Sequence, residues 1–100
     1  MNSILLSRKQ FIEDGLGLIL SVKKDFADIR YAKTSVTGRE IIRVNDIFGR
    51  VAFLDVTGDD LEKIADDVFR LALMGKEKVS VPSGYITDTE KMRKAAMLFV

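Results

Sequence analysis

Apolar positions along this chain follow two different rhythms, and the switch between them predicts the fold. From Ser7 to about Lys24, Phe11, Ile12, Leu16, Ile19 and Leu20 recur at the three-to-four spacing of a helix with one apolar stripe. Ser7-Arg8-Lys9-Gln10 opens the stretch as a capping box, in which the Ser and Gln side chains satisfy free N–H groups of the first turn. Gly15 and Gly17 interrupt it, each at a cost of about 1 kcal/mol relative to Ala unless it permits close packing.

From Asp28 to Val56 the rhythm becomes two, with β-branched residues between turn signals, which predicts strands near 28–36, 39–45 and 50–56. Thr37-Gly38 and Asp46-Ile47-Phe48-Gly49 supply the hairpin turns, and such short links make neighbouring strands antiparallel. Helical spacing returns after Thr57-Gly58-Asp59-Asp60, where acids suit the positive end of a helix. Leu61, Ile64, Ala65, Val68, Phe69, Leu71 and Ala72 form its stripe, and Gly75 is the natural stop. Val81-Pro82-Ser83-Gly84 marks a turn between two extended pieces, Lys78–Val81 and Tyr85–Ile86. Thr87-Asp88-Thr89-Glu90 then forms a second capping box, opening a helix that runs to the end. The expected architecture is a single small α+β domain over residues 1–100. Its order is helix, three-strand antiparallel meander, helix, a short extended segment and a C-terminal helix packed on or near the sheet.

Alternation places apolar groups on both faces of that sheet. Ile42, Val44, Ala52, Leu54 and Val56 share one face; Ile41, Val51 and Phe53 share the other, with Tyr31 expected beside them and Arg43 and Asp55 interspersed. Two helices suffice to cover the first face, so the second needs a cover of its own: the C-terminal helix, a second copy of the chain, or a partner. Tyr31, Lys33, Ile41, Arg43, Val51 and Phe53 are therefore the first candidate partner surface. Leu73 falls on the polar side of the second helix near Asp66 and Arg70, and the tail Ala95-Ala96-Met97-Leu98-Phe99-Val100 is apolar. The tail is expected either to dock or to run on into a longer chain, and both features favour self-association.

Composition narrows the chemistry. A hydrophobic content of 47% over 100 residues is enough for one core without staples. With 16 Lys+Arg against 15 Asp+Glu, no long-range field draws the molecule to nucleic acid or membrane, so local patches decide. The chain has neither Cys nor His, which removes thiolate nucleophiles, disulfides, the usual general base and the commonest metal ligands together. Any catalysis would rest on carboxylates, Lys, Tyr or Ser, and the expectation is a non-catalytic protein without cofactor or metal. Ile4-Leu5-Leu6 is too short for a membrane span or signal core, so a soluble, cytoplasmic chain is expected.

Two charged clusters remain. Asp59, Asp60, Glu62, Asp66 and Asp67 face only Lys63 over residues 59–67, five acids against one base, a net −4. The cluster reads as a metal site, an acid/base pair, a docking surface for a basic partner, or a solvated helix face whose acids match the dipole at its start. Arg30, Lys33, Arg39, Arg43 and Arg50 lie on or beside the meander with Tyr31 and Phe53 interleaved, a pattern that suits stacking on bases and tracking of phosphates. Lys91, Arg93 and Lys94 read as the polar side of the last helix. Gly15-Leu16-Gly17 is no phosphate loop, because it sits inside a helical pattern, and Ser83-Gly84 reads as a plain turn.

In element order, residues 7–74 resemble the double-stranded RNA-binding domain. That resemblance implies a first-helix contact to the minor groove, a contact from the turn at Thr37-Gly38 and a basic start to the second helix. Here the last position reads Gly58-Asp59-Asp60-Leu61-Glu62-Lys63, whose acids repel phosphate, so the likeness is one of topology. The function expected from sequence is a small protein-interaction module, self-associating or part of a larger assembly, acting through the sheet face and the acidic helix. The alternatives are nucleic-acid association through Arg30, Tyr31, Lys33 and Arg43, or inhibition of a nucleic-acid-processing enzyme by the acidic helix.

Overall fold

Ser7 closes the predicted capping box: its Oγ accepts from the Gln10 N–H at 3.0 Å, and Gln10 Oε1 accepts from the Ser7 N–H at 3.2 Å. In this computed structural model, which describes residues 7–74 and 80–100, the helix so opened has three parts. An α-helical turn, Arg8–Gln10, leads into a π-helical stretch, Phe11–Leu16, and an α-helical turn, Gly17–Leu20, closes it; together they are α1. A π turn takes more residues per revolution, so Ile12, Leu16 and Leu20, spaced by four, fall in line and are all buried. The same unwinding carries Ile19 out of the predicted stripe, leaving it 54% exposed. Gly17 sets the approach of helix to sheet, since a Cβ there would stand 3.3 Å from Ile29 Cγ2.

Strands β1 (Phe26–Lys33), β2 (Glu40–Asp46) and β3 (Val51–Asp55) form the antiparallel meander in the order β1-β2-β3. The register pairs Ile29 with Val44 and Tyr31 with Ile42, and Ile42 in turn with Leu54. Tyr31 therefore belongs to the first face, not beside Ile41, Val51 and Phe53 as alternation within its own strand suggested. The reason is geometric: cross-strand partners share a face, and this hairpin pairs odd positions of β1 with even positions of β2.

Helix α2 (Leu61–Leu73) is capped by Asp60, whose carboxylate accepts from the Lys63 N–H at 2.8 Å. It lies with α1 over the first face, where Ile12, Leu16, Leu20, Ile29, Ile42, Leu54, Val56, Ile64 and Val68 make one continuous core. Lys23, in the loop after α1, donates to the Ala72 carbonyl at 3.0 Å, placing a cation at the negative end of α2.

The second face is covered as well. Past the turn, Tyr85 bridges Leu54 antiparallel, and Asp55 N–H donates to the Gly84 carbonyl at 2.8 Å while Ile86 N–H donates to that of Phe53 at 3.0 Å. The outer edge of β3 is thus partly paired. Helix α3 (Thr89–Met97) then crosses the face, burying Ala95 with Ile41, Phe53 and Ile86 and packing Met92 and Phe99 against them. Its cap is Asp88, which accepts from the Lys91 N–H at 3.0 Å, rather than the expected Thr87 paired with Glu90. Asp reaches the N3 amide from one position later, and the helix starts there. The predicted stop at Gly75, the start of the extended piece Lys78–Val81 and the run Ile4-Leu5-Leu6 lie outside the described residues. Among the described residues, no helix is long and apolar enough to cross a membrane.

Candidate functional site

Of the two surfaces expected from sequence, neither survives as one continuous patch. On the second sheet face Ile41 and Phe53 are buried under α3, and Val51 at the hairpin end stays 40% exposed. Arg43 lies with its guanidinium 5.1 Å from the centre of the Phe99 ring and 3.2 Å from Asp28. Lys33 pairs with Glu40, so it belongs with Tyr31 to the first face and not beside Ile41 and Phe53; it is exposed at the end of β1, while Tyr31 packs against the first core. The C-terminal segment is therefore docked through Ala95 and Phe99, while Met97 and Val100 face outward.

The acids of α2 are likewise divided. Asp60 caps the helix, Asp66 pairs with Arg70 at 2.7 Å, and Asp67 is buried against Lys63 at 2.9 Å. The two bases reach across to the following loop, where Lys63 Nζ donates to Ser83 Oγ at 3.0 Å and Arg70 to Ser80 Oγ at 2.6 Å. Part of the acidic side is thus closed by residues 80–83, and Asp60, Glu62 and Asp66 remain exposed.

The Ser83–Lys63 contact has the spacing of a serine–lysine catalytic pair, so its protonation matters. The Asp67 hydrogen bond, with further attraction from Asp67, Asp59 and Asp66, raises the Lys63 pKa above its ordinary value. The shift favours the ammonium form, in which Lys63 donates to Ser83 and does not accept its proton. The pair works as a clasp between α2 and the loop.

Sequence reading missed the most strongly bonded polar centre. Glu40 is 4% exposed on the apolar face of the sheet, where it accepts from Arg8 Nε at 2.5 Å and Nη2 at 2.9 Å, from the Gly58 N–H at 2.9 Å and from the Tyr31 hydroxyl. Arg8 also donates to the carbonyls of Asp59 at 2.6 Å and Val56 at 3.2 Å. Burial pushes the Glu40 pKa up, but the bonds from Tyr31, Arg8 and Gly58 outweigh it and hold the carboxyl below its ordinary value. Burial, and then the Glu40 bond, raise the Tyr31 hydroxyl. Every oxygen of Glu40 is engaged by the protein itself, so this is a fastening of α1, β1, β2 and the start of α2. A signal was present: Glu40 shares parity with Ile42 and Val44, and a charge on an apolar face must find partners.

A further relief, apolar and charged together, lies at the other end of the sheet. A groove of about 610 Å³ opens between the end of α1, the β2–β3 hairpin and the end of α2. Leu20, Phe26, Val44, Val68, Leu71 and Tyr85 contribute to its walls, and Lys23, Asp25, Asp46 and Arg50 stand on it as charged groups. The hairpin tip is held beside it, because Ile47 N–H donates to the Asp25 carbonyl at 2.9 Å and Asp46 Oδ1 accepts from Phe48 and Arg50 N–H at 2.9 Å each. Ile47 is 59% and Phe48 67% exposed on that tip. Among the described residues no group of His, Cys, Asp or Glu could hold a metal ion. Compared with known proteins, the chain matches no family model, no curated protein and no solved structure.

Proposed function

We propose that this protein is a non-catalytic interaction module whose contact surface is the hairpin-end groove with its tip, and that its first partner is a second copy of itself. The observation that carries the reading is the adjacency of an exposed aromatic knob, Phe48, and an apolar groove on one chain. Asp46, Arg50 and Val51 belong to the groove, and Ile47-Phe48 lies between Asp46 and Arg50 in sequence. A two-fold axis at this end would bring each tip to the other chain's groove, the arrangement that a self-complementary surface requires. Burying one Phe ring contributes about 2–3 kcal/mol, twice per dimer, against an association cost of at least about 4 kcal/mol, which predicts a weak dimer. A role without catalysis is supported by the protonated Lys63 beside Ser83 and by the saturated carboxylate of Glu40.

Nucleic-acid association has less support. Arg30, Arg43 and Arg50 each meet a carboxylate within 3.2 Å, so phosphates tracking the meander would have to compete with an internal partner at each.

Sedimentation equilibrium across a wide concentration range tests the proposal. The expected result is mass rising toward a dimer, with Phe48→Lys restoring a monomer at every concentration and leaving the circular dichroism unchanged. A strict monomer at millimolar concentration defeats the self-association reading, and a dimer that persists in Phe48→Lys moves it to another surface.

A further inference from the structure

The positive charges of this molecule are unevenly committed. All seven arginines meet a carboxylate: Arg8 that of Glu40, Arg30 and Arg43 that of Asp28, Arg39 that of Asp55, Arg50 that of Asp46, Arg70 that of Asp66 and Arg93 that of Glu90. Among the described residues, the cations that meet none are Lys24, Lys33, Lys91 and Lys94. Lys91 and Lys94 lie one turn apart on α3, and both line a cleft of about 180 Å³ between that helix and the β1–β2 hairpin. Thr34, Thr37 and Arg39 stand across it, and Ile41, Ala95 and Leu98 complete it.

The polar side chains lining this cleft are rich in donors. Arg39 gives Nη2 to Asp55 Oδ2 at 2.8 Å, so three cations and one carboxylate leave a local charge of +2. Thr34 and Thr37 Oγ1 lie 2.5 Å apart, and both accept from the Arg39 N–H, at 3.1 and 3.4 Å. One hydroxyl donates to the other, which leaves one O–H proton over. Two ammonium groups, a spare hydroxyl and the remaining guanidinium N–H groups call for a compact anion rich in acceptor oxygens.

Size and charge select among such anions. At about 180 Å³ the cleft has room for several waters, enough for a tetrahedral anion with a short carbon stub. It falls below the roughly 300 Å³ at which cofactor-sized pockets begin, which suits a small ester better than a whole nucleotide. A phosphomonoester carries about −1.5 to −2 at neutral pH, which matches the local charge, whereas a diester carries one negative charge. Ile41, Ala95 and Leu98 offer the stub an apolar wall. We propose that the cleft between α3 and the β1–β2 hairpin binds the phosphoryl group of a small phosphomonoester through Lys91, Lys94, Arg39 and the Thr34–Thr37 hydroxyl pair.

Titration of the isotope-labelled full chain at low salt, followed by amide NMR, tests this. The probes are inorganic phosphate, phenyl phosphate and single-stranded oligothymidine. Phenyl phosphate is expected to bind more tightly than inorganic phosphate, to move the amides of Thr34, Thr37, Arg39, Lys91 and Lys94, and to bind better as pH rises through about 6, where the second phosphate proton leaves. Lys91→Ala with Lys94→Ala is expected to weaken it by about tenfold or more, and Lys24→Ala to leave it unchanged. Thr37→Val, which leaves α3 untouched, is expected to weaken it as well. The proposal fails if these amides do not move, if the lysine variants bind as before, if inorganic phosphate binds as tightly as the ester, or if oligothymidine matches it phosphate for phosphate.

Discussion

Glu40 shows how one residue ties the chain together and how its charge sets a pH dependence. Its folded carboxyl sits below the unfolded value of 4.5, so its contribution is complete above that value and fades as pH falls through the folded pKa. Asp55 acts in the same direction: burial raises it, but Thr57, through hydroxyl and N–H, and Arg39 outweigh burial and hold it below 3.8. Glu40→Gln keeps the shape and removes the charge from a nearly fully buried site, which costs about 2–3 kcal/mol at neutral pH. In urea titrations from pH 7 to pH 3 the wild-type midpoint falls steeply below about pH 4.5, and the variant shows a flatter slope over the same window. An unchanged acid slope in Glu40→Gln would remove Glu40 from this account. The burial of Glu40 was legible from its parity with Ile42, whereas its partners were not, because Arg8 and Gly58 come from segments that only tertiary packing brings near. Tyr31 was misplaced for a related reason: its face depends on pairing across the Thr34–Arg39 hairpin, not on alternation along β1 alone.

At the scale of elements, the meander, the capping of α1 and the two-sided sheet could all be read from periodicity. The π stretch Phe11–Leu16 could not, since its residues also suit an ordinary helix and only the fit of Ile12, Leu16 and Leu20 to the sheet selects the wider turn. The fastening of the 80–86 segment to β3 is equally hidden, and it rests on Gly84. A Cβ there would lie 2.1 Å from the Asp55 carbonyl oxygen, against backbone that has no rotamer to escape with. Gly84→Ala must therefore part Asp55 from Gly84 and disturb the Ile86–Phe53 bond, at about 2–3 kcal/mol. Gly15→Ala offers the contrast, because its nearest neighbour would be Phe11 Cδ1 at 4.0 Å. There the gain in helix propensity is about 0.5–1 kcal/mol of stability. Equilibrium unfolding in urea measures both, and a Gly84→Ala protein as stable as wild type would show that the segment docks in some other way.

For the molecule as a whole, one sheet serves two cores of unequal size. Nine buried residues from α1, the sheet, Val56 and α2 make the first, and Ile41, Phe53, Ile86 and Ala95 make the second. The Glu40 network reinforces the larger layer alone, since Arg8, Tyr31 and Gly58 all reach it from that side. Hydrophobic stabilisation scales with the area removed from water, so detaching α3 costs much less than opening the first core. This predicts a sub-global opening in which α3 and the 80–86 segment leave together and the meander with α1 and α2 stays folded. Native-state hydrogen exchange in low urea separates this from global unfolding. Amides of Met92 and Ala95 should exchange with a lower opening free energy and a smaller urea dependence than those of Ile42 and Val44. Equal free energies and slopes throughout would mean one cooperative unit and no separable α3. The opening would bare Ile41 and Phe53, so the second face that sequence marked as a partner surface is available only in that minor state. Phosphomonoester binding at Lys91 and Lys94 needs α3 seated on the hairpin, so the sub-global and the global opening both release the ligand. Exchange at Met92, Ala95 and Ile42 should therefore slow by the same factor, whereas a ligand held by the first layer alone would slow Ile42 and leave Met92 and Ala95 unchanged.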